Sequence, residues 1–203
     1  MPELLEVEAY RRLAERVVGL EVVAVRAPDP WFLKGGLDAA TVVGALEGRR
    51  LIDARRIGKL LVLDTDGPTL GLRFGMTGVL DVDGVDGIER LEYGSSRREP
   101  AWDRFALVLG GDRTLTMRDA RRLGGVELDP DESRLGVDAT ALSPAGLRTV
   151  LAGSQAPLKA RLMDQARVAG LGNLLTDEAL WRAGLDPARP AGSLSPAEQR
   201  RLL

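Results

Sequence analysis

Apolar residues recur near the helical period at the start of the chain. Leu4, Val7, Tyr10 (or Leu13) and Val17 fall on one face, which predicts a helix over 2–18. Pro2 and Glu3 suit its first turn, where a missing N–H is harmless and an acid meets the positive end of the helix dipole. Gly19 closes it. From 21 to 127 the period shortens. "EVVAVRA", "RRLIDARRI", "KLLVLDT", "LGLRFGM", "GVLDVDG", "FALVLGG" and "RTLTMRD" are short and rich in Val and Leu, and several alternate. Turns with Gly and Asp ("TDGPT", "VDGVDG", "GGDR") separate them. This predicts an antiparallel β region of about six to eight strands, interrupted at "GGLDAATVVGAL" by a stretch that fits a short helix.

The polar, turn-rich "LDPDESRLGVDATALSP" (128–144) reads as a linker, placed at 131–142. Helices follow. "SPAGLRTVL" opens with a Ser143 cap and Pro144, "APLKARLMDQARV" is a second helix, and "NLLTDEALWRAG" is a third, closed by Gly184. "SPAEQRRLL" starts a fourth with the capping box Ser195 to Glu198. The chain stops eight residues after that cap without a helix-ending residue, so the sequence reads as cut short. The fold class is α+β, with a β-rich domain at 1–130 and a helical one at 143–203.

Composition narrows the chemistry. The 203 residues suit one large domain or two small ones, at 44% hydrophobic and 29% charged. There is no cysteine and no histidine. Thiolate nucleophiles, imidazole bases and Cys or His metal ligands are excluded, which leaves acid–base work to Asp, Glu, Lys, Tyr or a terminal amine. No apolar run reaches membrane-spanning length and no signal peptide is evident, so a soluble, cytoplasmic protein is expected, with no membrane partner. The net charge of −2 argues against nucleic acid on average, yet arginines cluster at 55–59, 95–99 and 118–122.

Several stretches carry candidate chemistry beside a plainer reading. "MPELLEVE" is either an ordinary acidic helix start or a reactive terminus. Loss of Met1 would expose the secondary amine of Pro2, and a free α-amino group titrates near ~8, low enough to attack carbonyl-like carbons. Glu3 would shuttle protons, and Glu6 lies one turn on. Lys59, after a glycine turn, is either a solvated edge lysine or a phosphate contact. "GLRFGMTGVL" places Met76 among Gly71, Gly75 and Gly78, which points to a bulge or a close backbone approach. "RDARRLGG" is either a solvated face or a loop whose Arg121, Arg122 and Leu123 enter between bases and grip phosphates. In "AGLGN" (169–173), Gly172 and Asn173 open a helix whose N–H groups suit an anion, although a simple helical hairpin fits too.

Taken in order, "MPELLEVEAYRRL", "GKLLVL", "GMTG", "RDARRLGG" and "DQARVAGLGNLLTDEALWRAG" resemble the bacterial family of formamidopyrimidine-DNA glycosylase and endonuclease VIII, from residue 1 to the end. The resemblance implies an N-terminal helix plus an antiparallel β-sandwich, then a helix–two-turn–helix domain. Double-stranded DNA with an oxidised base or abasic site would lie between the two, bound by a monomer. Pro2 would be the nucleophile on the deoxyribose C1′, Glu3 the proton donor, and Glu6 a support. Lys59 and Asn173, beside Gly172, would hold phosphates. Met76, Arg121 and Leu123 would fill the void left by the flipped base, and Arg122 would contact the backbone. By the same resemblance, no metal or organic cofactor would be needed for this chemistry.

There are departures. Leu5 replaces the second proline of the family's Pro-Glu-Leu-Pro-Glu. Arg73 stands where histidine is common. The choice between oxidised purines and oxidised pyrimidines stays open, and Leu123, standing where the formamidopyrimidine branch usually has phenylalanine, tilts it slightly toward pyrimidines. The family's C-terminal finger, often built around a structural zinc, has no counterpart in this sequence. Two rival readings stand beside the enzyme: a non-catalytic binder of abasic or damaged DNA, and a helical-hairpin protein unrelated to DNA.

Overall fold

The structure, a computed structural model, describes residues 2–88 and 97–203; Met1 and the serines of the 95–99 cluster lie outside them. The chain divides into two compact units, Met1–Pro130 and Asp131–Leu203.

The first unit opens with helix α1, Leu4–Ala14, extended by a 3-10 turn at Glu15–Val17. Leu4, Val7, Tyr10, Leu13 and Val17 are all buried, as their spacing requires. The helix begins later than the sequence pattern suggests. Glu3 is the N-cap, with extended backbone (φ −107°, ψ −169°), so Pro2 precedes the helix. A capping box decides this: the Glu6 carboxylate accepts the Glu3 N–H at 2.8 Å.

Two sheets follow. In the first, β1 (Val22–Arg26), β7 (Asp103–Leu109), β8 (Arg113–Arg118), β5 (Val79–Val82) and β6 (Val85–Asp86) lie side by side in that order. In the second the order is β2 (Leu51–Ile57), β3 (Leu60–Thr65), β4 (Leu70–Arg73), β9 (Gly125–Leu128). Every pairing within them is antiparallel. Phe105, Leu107 and Leu109 of β7 and Leu115 and Met117 of β8 share one core with Leu61 and Leu63 of β3, Leu72 of β4 and Val126 of β9. Strand alternation therefore builds the sandwich directly: every second side chain enters the space between the sheets. The expected short helix is α2, Ala39–Leu46, capped by the Asp38 carboxylate on the Thr41 N–H.

In the second unit α3 (Pro144–Leu151), α4 (Leu158–Met163), α5 (Asn173–Ala183) and α6 (Pro196–Leu202) enclose a separate core of Leu147, Leu151, Leu158, Leu162, Leu180 and Leu194. Ser143 and Ser195 cap α3 and α6 as expected. Two expectations are corrected. The stretch read as a linker, 131–142, is folded into this unit: β10 (Val137–Asp138) pairs in parallel with β11 (Val168–Ala169). The second helix stops at Met163 instead of running to 168. The Asp164 carbonyl accepts the N–H groups of Arg167 (2.8 Å) and Val168 (2.9 Å), which turns the chain. The Gln165 amide then donates to the Met163 and Leu171 carbonyls, both at 2.8 Å, and accepts the Gly170 N–H at 3.0 Å. No helix among the described residues is long and apolar enough to cross a membrane.

Candidate functional site

Pro2 is buried and Glu3 is only 3% exposed, so the start of α1 is held inside the unit and does not fray. Glu6 is half-buried beside them. Lys59 joins this set from the turn between β2 and β3. Burial pulls its ammonium below the usual lysine range, and the charges of Glu3 and Glu6 oppose that pull. Both carboxylates thus act on Lys59, though more than fifty positions separate them from it in the chain.

The turn that presents Lys59 is held by side chains of α1 and β2. Gly58 adopts φ +58°, which favours glycine. The Arg56 guanidinium donates to the Gly58 carbonyl at 2.8 Å and pairs with Glu8 of α1 at 3.4 Å. Arg11, also on α1, pairs with Glu8 at 2.9 Å and donates to the Ala54 carbonyl of β2 at 3.3 Å. These arginines hold the Glu8 carboxyl below its usual range. The clamp fixes helix to hairpin, and so fixes Lys59 relative to Glu3.

A second cluster joins the loop 74–78 to the loop 119–124. Asp119 is fully buried. Its carboxylate accepts the Thr77 hydroxyl at 2.6 Å, the Arg121 N–H at 3.0 Å and the Gly124 N–H at 2.8 Å. Gly75 has φ +56°, and a Cβ there would sit 2.4 Å from the Leu123 carbonyl carbon, so only glycine allows the two loops to touch. Met76 (37% exposed) and Leu123 (50% exposed) project from this junction, with Arg121 exposed beside them. Tyr10 ties the junction to α1: its ring lies 4.5 Å from that of Phe74, and its hydroxyl, held protonated by burial, donates to the Gly78 carbonyl at 3.4 Å.

Arg122, expected as a backbone contact, has a partner within the protein. Its guanidinium is engaged within the protein, bidentate on the buried Asp29 carboxylate at 2.7 and 2.5 Å. Arg104 approaches the same carboxylate at 3.5 Å. Arg122 also carries φ +58°, unusual outside glycine, so the ion pair fixes a turn that exposes its neighbours.

In the second unit Gly172 is the N-cap of α5, and Asn173 is its exposed first residue. The Gln165 bridge described above shapes the turn before it. Asp119, Asp29 and Arg56 are what sequence reasoning missed. Arg56 lies in the arginine cluster at 55–59 and Asp119 inside "RDARRLGG", but the sequence carries no sign of what either one holds, and none at all for Asp29.

Chemically, the first cluster offers one buried and one half-buried carboxylate and a lysine near a buried proline, which suits proton transfer to and from a covalent adduct. The second offers apolar and cationic side chains on a rigid base. Among the described residues no group of three or more Asp or Glu could hold a metal ion, and a sequence without Cys or His does not fit a structural zinc site.

Comparison with known proteins covers both units. Residues 1–126 match the formamidopyrimidine-DNA glycosylase N-terminal domain, and residues 135–203 match the formamidopyrimidine-DNA glycosylase H2TH domain. A formamidopyrimidine-DNA glycosylase of Methylococcus capsulatus is 38% identical over 215 residues, covering all of this chain and 74% of that protein. One from Heliobacterium modesticaldum is 38% identical over 216 residues, with the same coverage. The crystal structure of the MutM (Fpg) protein from Thermus thermophilus superposes with a TM-score of 0.78 at 37% identity, covering 99% of this chain and 71% of that one. The Lactococcus lactis Fpg in complex with abasic-site DNA gives 0.82 at 26% identity, covering 99% and 74%. The tilt toward endonuclease VIII drawn from Leu123 finds no support in these relatives.

Proposed function

This chain belongs to the formamidopyrimidine-DNA glycosylase family, base-excision-repair DNA glycosylases, and on that premise we propose that it removes oxidised purines from duplex DNA through a Schiff base on Pro2. The observation that carries this reading is the convergence of Glu3, Glu6 and Lys59 at a buried Pro2.

The steps follow from those groups. The damaged nucleotide leaves the stack, because its glycosidic bond is out of reach inside a duplex. Pro2, freed of Met1, attacks C1′ with its nitrogen lone pair, and the base departs with the glycosidic electrons and takes up the proton that the Pro2 nitrogen loses. Glu3 protonates the ring oxygen, the C1′–O4′ bond opens, and an iminium forms between Pro2 and C1′. That cation is an electron sink. Loss of a C2′ proton expels the 3′ phosphate, and a second elimination releases the 5′ phosphate. Water then hydrolyses the iminium and frees Pro2. No metal or organic cofactor supplies a step.

Lys59 holds a phosphate beside the extruded nucleotide, and Asn173 makes a phosphate contact from the N-terminus of α5. Met76, Arg121 and Leu123 occupy the space the base leaves. Arg122, aligned by Asp29, contacts the DNA backbone from the same loop. The protein works in the cytoplasm as a monomer.

Strand scission of a duplex carrying one ring-opened purine tests this, with an unmodified duplex as control. Scission only at the lesion supports the reading, and an intact lesion strand contradicts it. Binding of the same duplex across pH tests Lys59. Its lowered folded value means that the charge is lost below the ordinary ~10.4 of lysine. The buried charge costs stability at neutral pH, and that cost is relieved as pH rises through the folded value. Wild-type DNA binding should therefore weaken as pH rises toward ~10, whereas Lys59→Arg, charged throughout, should hold its affinity. Parallel pH profiles would remove Lys59 from the phosphate contact.

A further inference from the structure

We propose that Trp31 and Lys34 form an additional DNA-contact subsite on the flank of the 119–124 loop, with Trp31 packing on an exposed nucleotide face and Lys34 meeting a phosphate. The proposal rests on the glycosylase reading above. Trp31 is 68% exposed, an uncommon position for so large an apolar side chain. The turn itself holds it there. Asp29 caps the 3-10 turn Pro30–Phe32 by accepting the Trp31 N–H at 3.1 Å. The same carboxylate takes both arms of Arg122, so one buried acid aligns the Trp31 turn with the loop that presents Arg121 and Leu123.

Lys34 completes the shelf. Its ammonium donates to the Trp31 carbonyl at 2.8 Å and lies 5.6 Å from the indole centroid. Its stem crosses Gly125, where a Cβ would come within 2.4 Å of the lysine Cε, and its N–H donates to the Val126 carbonyl at 2.9 Å. Trp31 and Lys34 are thus tied at two points to the segment that carries Arg121 and Leu123. An exposed indole next to a cation is the pairing that binds a nucleotide, the ring by stacking and the ammonium by charge. Nothing else in the mechanism uses either side chain.

The test is binding of full-chain protein to a duplex with a tetrahydrofuran abasic analogue, measured over a salt series. Trp31→Ala should weaken binding about 10-fold and leave the salt slope unchanged, and Trp31→Phe should recover most of the loss, because an aromatic face is what stacks. Lys34→Gln should lower the slope by about one, as loss of one phosphate contact requires. Melting temperatures of the variants check that the exposed substitutions leave the fold intact. Wild-type affinity in Trp31→Ala overturns the subsite while the glycosylase reading stands. Failure of the wild type to prefer the abasic duplex over a plain one overturns the reading and the subsite with it.

Discussion

Glu3→Gln should slow base excision by about 100-fold or more, the usual worth of a positioned proton donor, while leaving affinity for abasic-analogue DNA close to wild type. The two readouts separate because Glu3 is both buried and a helix cap. Glutamine keeps the carbonyl oxygen that a cap needs, and the Glu6 carboxylate still accepts the residue 3 N–H, so α1 starts in the same place. What glutamine cannot do is deliver a proton to the sugar oxygen. Single-turnover excision and a binding titration on the same preparation give the answer. Wild-type turnover in Glu3→Gln would discard the proton-transfer role.

Asp119→Ala should be the most destabilising single change in the loop cluster, by about 2–5 kcal/mol, since it strips three hydrogen bonds and strands buried N–H groups. The Thr77 hydroxyl and the Arg121 and Gly124 N–H groups all end on this one carboxylate. Asp119→Asn keeps one acceptor oxygen and should fall between wild type and alanine. The loss should also reach function, because Met76, Arg121 and Leu123 are presented by the two loops that Asp119 joins. Thermal melting together with abasic-duplex affinity measures both effects. An Asp119→Ala protein with wild-type melting and binding would show that the junction stands without its carboxylate.

Much of the fold is legible in the sequence because it rests on periodicity. The α1 face, the alternation of β7 and β8, and the Ser143 and Ser195 caps are local patterns, and each appears where the local rule places it. β9 escapes such reading because Gly124 just before it and Gly125 at its start look like a turn, and only its partner β4 makes it a strand. The folded linker escapes for the same reason: β10 exists only through β11, thirty-one positions away in the pairing of Val137 with Val168. Helix α4 reads too long because Gln165 is a good helix former, and its turn-making bonds are tertiary.

The site divides in the same way. Pro2, Glu3, Lys59, Met76 and Asn173 stand out through type and order. Their supports do not. Arg122 and Asp29 lie 93 positions apart, and Thr77 and Asp119 lie 42 apart, so no window on the sequence contains either pair. Arg122 shows why: nothing near it in the sequence announces the acid it pairs with.

Everything in the proposed chemistry depends on Pro2. Borohydride reduction of the native-terminus protein mixed with an abasic-site duplex would trap the iminium as a stable tertiary amine. The expected result is a covalent protein–DNA adduct that maps to Pro2 in a protein whose intact mass shows Met1 removed. Full binding of the duplex by that same protein with no adduct would contradict it, and would leave a binder of damaged DNA in place of an enzyme.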